Sequence, residues 1–216
     1  MPLRVHRQPD PSPPPVPGFE DAHRLWDPLH HRWTVRIAPG ELFVTPHDES
    51  VSTILGTSLS ICMRDPVLRI GGMNHFILPL QTNAETGTAA RDSKEALQYG
   101  RSMMERLLRE VLKLGAKRER LKAKMYGGGR HMQLGNDTSE TTIAFARRFL
   151  REQGVPVVAE KLGAGYPRRL MYFPSTGLAL MDRLPNRLVA AVAKREMQYV
   201  QSLIQPSAAG AAIRIN

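Results

Sequence analysis

The chain has very little cysteine: Cys62 is the single one in 216 residues. An internal disulfide is therefore excluded, and the usage fits a reducing compartment. Long apolar runs are missing too. Nothing approaches the roughly eighteen residues that a membrane-spanning helix needs, so no membrane insertion is expected. The opening stretch, M-P-L-R-V-H-R-Q-P, has no apolar segment of the kind that directs secretion, and the expected location is cytoplasmic. Acidic residues are outnumbered, 20 Asp and Glu against 30 Lys and Arg, which gives a net charge of +10. Such a balance steers acidic partners without choosing among them. Aromatics make up only 6%, and no recognition motif or aromatic-studded basic strand argues for nucleic acid. No internal repeat is visible.

What remains, 42% hydrophobic residues, suffices for one core. Residues 1–17 hold seven prolines, so 1–25 reads as an extended or disordered arm. A single domain is expected over 26–204, with a loose tail over 205–216. Short strands are expected at 34–38 and 41–45 around the turn Pro39-Gly40. A longer β-rich run covers 51–63, and another apolar run covers 70–80. Leu97, Gly100, Met104, Leu107, Leu108 and Val111 then recur at three- and four-residue steps. They predict a helix that starts at Asp92 or Ser93 and stops at Gly115. Much of the positive charge lies between 91 and 130, on or beside this helix, where it reads as a solvated basic face. Strands are expected at 121–126, 155–160, 168–173 and 178–181, with helices at 137–153 and from about Pro185 to Ile204. Interspersed elements without strict alternation argue for an α+β domain with mixed sheets.

Few motifs carry chemistry on their own. Gly127-Gly128-Gly129 lacks the Lys and hydroxyl residue of a phosphate loop and reads as a tight turn. His30-His31 beside Asp27 lacks further ligands and reads as a surface pair. Cys62 sits inside an apolar strand pattern, where cysteine behaves as a small buried hydrophobe. Gly56-Thr57-Ser58 marks a tight spot in a strand–turn–strand unit. His75, in the run that faces it, must be either hydrogen-bonded in the core or functional, because a buried unsatisfied imidazole is costly.

The stretch 39–79 resembles the signature of the CheD family of chemoreceptor glutamine deamidases. P-G-E-L-F-V-T is followed by S-T-I-L-G-T-S and by G-G-M-N-H-F-I-L-P. K-L-G-A-K-R-E-R-L-K-A-K-M-Y-G-G-G at 113–129 and G-V-P-V-V-A-E-K-L-G-A-G-Y-P-R-R-L-M-Y-F-P-S-T-G at 154–177 are similar to its later blocks. The resemblance spans about 36–180. It implies hydrolysis of receptor glutamine side chains to glutamate and ammonia, on a fold like the catalytic domain of cytotoxic necrotizing factor. It implies no metal or organic cofactor. The partners it implies are the cytoplasmic domains of methyl-accepting chemotaxis proteins and, as in some members, a CheC-type phosphatase. The family's histidine falls on His75, its histidine-orienting hydroxyl on Ser52 or Thr53, and its nucleophilic cysteine on Ser58.

That last position departs from the pattern. A thiol beside a histidine ionises before substrate arrives, whereas a serine must lose its proton during attack. Thr57, Leu59 and Ser60 depart as well, which reads as a diverged lineage. Cys62 cannot stand in, because four residues of strand span roughly 13 Å. Two readings follow: a deamidase using Ser58, His75 and Ser52 or Thr53, or a weakly catalytic relative that binds receptors or another chemotaxis protein. Backbone amides near Gly56 to Ser58 are the expected oxyanion donors.

Overall fold

A computed structural model describes residues 11–80, 94–130 and 136–204. Ten strands form two five-stranded sheets. The first contains β1 (Arg24–Asp27), β2 (Arg32–Arg36), β4 (Ser50–Leu55), β9 (Arg168–Phe173) and β10 (Leu178–Arg183), in that spatial order. The second runs β3 (Leu42–Thr45), β6 (Ile70–Asn74), β5 (Leu59–Asp65), β7 (Lys122–Gly127) and β8 (Val157–Leu162). Each sheet has one parallel pair, β2 with β4 and β7 with β8, among antiparallel neighbours. The architecture is the α+β class with mixed sheets.

Strand alternation divides the apolar residues into two layers. On β5, Leu59, Ile61 and Met63 point to one side, and Cys62 points to the other. The first set packs on α1 (Lys94–Lys113) and α2 (Asn136–Glu152) through Met104, Leu107, Phe145 and Phe149. The second set meets Val35, Val51, Leu170 and Tyr172 of the opposite sheet. Layers therefore run sheet, sheet, helices. A third helix, α3 (Val189–Ile204), lies against the end of the sandwich where strands turn. Among the described residues, no helix is long and apolar enough to cross a membrane.

The β-rich run over 51–63, in which Gly56-Thr57-Ser58 marks the tight spot, is two strands in different sheets. β4 ends in the first sheet at Leu55, and β5 begins in the second at Leu59. Uniform hydrophobicity hides this switch, because both strands are buried on both faces. A strand at Arg24–Asp27 was not expected, since it alternates poorly and lies across the boundary of the proline-rich arm. Part of that arm packs: Val16 is fully buried, and Phe19 meets Phe43 edge-on at 5.4 Å. Residues 1–10, the 205–216 tail and the helix start at Asp92 or Ser93 lie outside the described residues.

Asp65, at the end of β5, ties the sheet to the connection after α1. Burial alone would raise its carboxyl. The Arg120 guanidinium at 2.6 Å and the N–H groups of Lys117, Leu68 and Val67 instead hold it well below the usual carboxylate range. A depressed folded-state value contributes stability above the unfolded carboxylate range and loses it as pH falls through and below about 4. Asp65→Ala should destabilise the fold by about 3–5 kcal/mol, because a buried pair loses one partner. Denaturant melts at neutral and acidic pH should show the difference between variant and native shrinking on acidification. A constant difference would count against this role.

Candidate active site

Three side chains predicted from sequence converge at one end of the sandwich. Ser58 Oγ lies 2.7 Å from His75 Nε2, and His75 Nδ1 lies 2.7 Å from Thr53 Oγ1. All three are buried. The Thr53 hydroxyl donates to the Ile37 carbonyl at 2.8 Å. Its single proton is thereby committed, so it accepts from His75 Nδ1–H. The tautomer is then fixed, and the Nε2 lone pair faces the serine. Burial, with Arg195 nearby, pushes the His75 pKa down to about 3, so the ring is neutral at physiological pH.

Thr53, not Ser52, therefore carries the orienting hydrogen bond. Neighbours on a strand face opposite sides, and the β4 register turns Ser52 away from the imidazole. Cys62 is likewise excluded from this cluster. It is buried in the layer between the sheets, and burial pushes its thiol well above the ordinary value. His30 pairs with Asp27 at 2.9 Å near the surface. Among the described residues, no grouping of His, Cys, Asp and Glu could hold a metal ion.

The turn that carries Ser58 is shaped by the glycine triplet. Gly128 N donates to Ser58 O at 2.7 Å, and Gly129 N donates to Gly56 O at 2.8 Å. A Cβ at Gly127 would lie 2.2 Å from the Ser58 carbonyl oxygen, and one at Gly129 would lie 2.3 Å from that of Gly56. Ser139 of α2 donates to Gly129 O at 2.8 Å, and Arg168 donates to Gly127 O at 2.8 Å. The triplet is thus a close-approach buttress for the serine turn, consistent with the tight turn expected from its sequence.

Braced in this way, the turn points three backbone N–H groups at one spot. Glu196 of α3 occupies it. Its Oε1 accepts from Gly56 N at 2.9 Å and Ser58 N at 3.2 Å, and its Oε2 accepts from Thr57 N at 2.8 Å. The Ser58 hydroxyl also makes a short hydrogen bond to Oε1. Only 1% of Glu196 is exposed. Sequence reasoning missed this residue. A signal existed, because Ala193, Glu196 and Val200 share the buried stripe of α3, and a carboxylate on such a stripe needs donors. Chemically, the cluster combines a serine hydroxyl, an oriented neutral imidazole and a triple N–H cradle. That set suits attack on a planar carbonyl with stabilisation of the resulting oxyanion.

Comparison with known proteins bears on the family of the chain. Residues 77–183 match the family described as CheD chemotactic sensory transduction. A probable chemoreceptor glutamine deamidase CheD of Saccharophagus degradans is 38% identical over 199 residues, covering 91% of each chain. One of Hahella chejuensis is 37% identical, over 95% of this chain and 96% of its own. One of Hydrogenovibrio crunogenus is 38% identical, over 82% and 91%.

The buttress can be tested with two glycines that share a strained backbone. Gly127 has φ +111° and Gly115 has φ +99°, but only Gly127 lies against another backbone. Each change to alanine should cost about 1–3 kcal/mol for the left-handed conformation. Gly127→Ala should cost clearly more and should disturb the Ser58 environment, as read by denaturant midpoints and amide shifts. Equal costs would mean that the close approach is slack.

Proposed function

Since the chain belongs to the CheD family, we propose that it is a protein-glutamine deamidase acting on the cytoplasmic domains of chemoreceptors. The observation that carries this reading is the 2.7 Å approach of Ser58 Oγ to an imidazole nitrogen whose other nitrogen is held by Thr53. In the proposed mechanism Ser58 Oγ attacks the glutamine Cδ while His75 Nε2 takes its proton. The N–H groups of Gly56, Thr57 and Ser58 hold the oxyanion. His75 then gives the proton to the departing nitrogen, and ammonia leaves an ester on Ser58. Water, activated by the same imidazole, hydrolyses that ester to glutamate.

Thr53 fills the orienting place, and among the described residues no carboxylate is hydrogen-bonded to the far side of the ring. That arrangement suits a thiolate better than a serine, which needs its proton removed during attack. A second reading is favoured by the carboxylate seated in the cradle: the chain acts mainly as a receptor-binding relative with slow turnover. A CheC-type phosphatase is proposed as a further partner. A cytoplasmic location follows from the proposed substrate.

Receptor cytoplasmic fragments incubated with the protein, followed by mass mapping of Gln-to-Glu conversion, test the reading. Ser58→Cys should raise conversion strongly, and adding His75→Ala should lower it by about 10²–10⁴-fold, the usual worth of a general base. Thr53→Val should cost about tenfold or more in kcat by freeing the ring, comparable to one hydrogen bond at a charged transition state. Absence of conversion by Ser58→Cys, with or without Glu196→Ala to empty the cradle, would overturn the deamidase assignment.

A further inference from the structure

The buried carboxylate of Glu196 lies where the proposed reaction would leave its product. The side chain of a deamidated helical glutamine is a helical glutamate, and Glu196 is a glutamate on a helix. Its oxygens take all three N–H donors of the cradle and the nucleophile's hydroxyl. A second consequence concerns the proton. Ser58 Oγ has one hydrogen and two acceptors within reach, His75 Nε2 and Glu196 Oε1. While it donates to Glu196, it does not donate to its base. Helix α3 thus fills the oxyanion position and also withholds the nucleophile's proton from the imidazole.

The hold on α3 is narrow. Of its sixteen residues only Ala193, Glu196 and Val200 are buried. Tyr199 adds one hydroxyl contact, 2.7 Å from the Tyr99 hydroxyl, and rests against Gly40. A pocket of about 200 Å³, lined by Pro39, Ile54, Leu184, Leu188, Val192 and Arg195 with others, remains open beside Glu196. A helix with so little apolar burial detaches at a free energy well below that of global unfolding. Its sparse packing and its charged anchor are the features of a displaceable plug.

We propose that α3 is a built-in product mimic that closes the active site, and that substrate enters as a second helix which displaces it and places its glutamine where Glu196 lies. This rests on the deamidase reading for its chemistry, but the occupancy is tested separately. The seat of α3 also sets what the site accepts. Three residues before the reactive position the docking face has a small residue, Ala193, and four residues after it an aliphatic one, Val200. Those offsets lie on one helix face. The favoured receptor glutamines are those with a small residue at −3 and an aliphatic residue at +4 on a continuous helix.

Two measurements on the full chain decide the matter. Hydrogen exchange of the Gly56–Ser58 amides should be slow in the native protein. It should accelerate by about tenfold or more in Glu196→Ala, since each lost bond to a charged acceptor is worth that order. Ala193→Arg, which forces α3 off without removing the carboxylate, should do the same. Unchanged exchange in both variants would overturn the plug. The second measurement uses Ser58→Cys with Glu196→Gln, which presents the site with a helical carboxamide in cis. The thiolate attacks that amide carbon, ammonia leaves with a proton from His75, and water hydrolyses the thioester to a carboxylate, regenerating the thiol. Peptide mapping should find position 196 converted to glutamate, and adding His75→Ala should abolish it. Accelerated exchange with receptor conversion by Ser58→Cys but no cis conversion would keep α3 as occupant and overturn its role as a product mimic, whereas accelerated exchange with neither conversion would sink the deamidase reading.

Discussion

Everything at the site depends on three consecutive backbone N–H groups that face one point at the crossing between the sheets. Such convergence is unfavourable in a free chain, because parallel N–H dipoles repel one another and the donors lose water. Here it is enforced from behind. The carbonyls of Gly56 and Ser58 are drawn onto Gly129 and Gly128, which turns the intervening amides outward. The glycines are needed because two backbones lie closer than any Cβ permits. Arg168 and Ser139 then hold the glycine loop from the other side. The cradle is thus produced by sheet geometry, and its preorganisation does not depend on which side chain stands at 58.

Much of this was legible in sequence, and the reasons differ by residue. His75 stood out because an imidazole in an apolar run demands a partner. Ser58 stood out because a glycine-marked tight spot interrupts a strand pattern. Thr53 and Ser52 could not be told apart, since choosing between neighbours on a strand requires knowing which face looks toward the histidine. The glycine triplet was read as a turn, but its partner across the sheet was invisible, because a non-local backbone contact leaves no local pattern. Glu196 was missed for a related reason. Helical period gave α3 its extent, yet the donors that make a buried carboxylate tolerable sit about 140 residues earlier in the chain.

The fold reading stayed coarse in one place. Hydrophobic periodicity reports burial, and the run over 51–63 is buried at every position but the half-buried Ile54. It cannot report that the chain leaves one sheet and enters the other at Leu55. Gly56-Thr57-Ser58, legible as a tight spot, is the hinge of that change, and only its role as a crossing between sheets was hidden. Sheet switches inside uniformly apolar runs deserve the same scrutiny in other chains, particularly where a glycine is followed by hydroxyl residues.

Ser58 and Glu196 are best understood as a matched pair. With an ionised thiolate at 58, a carboxylate in hydrogen-bond contact would face a like charge in a buried setting, where repulsion is weakly screened. With a hydroxyl at 58, the same contact is a charge-assisted hydrogen bond. Serine in place of cysteine at this position would therefore make an anchor for α3 out of an unfavourable neighbour. On the proposed reading, a weaker nucleophile and an internal carboxylate belong together. The three N–H donors hold a carboxylate in this structure, and a thiol introduced at 58 would loosen α3 before it supplied any chemistry.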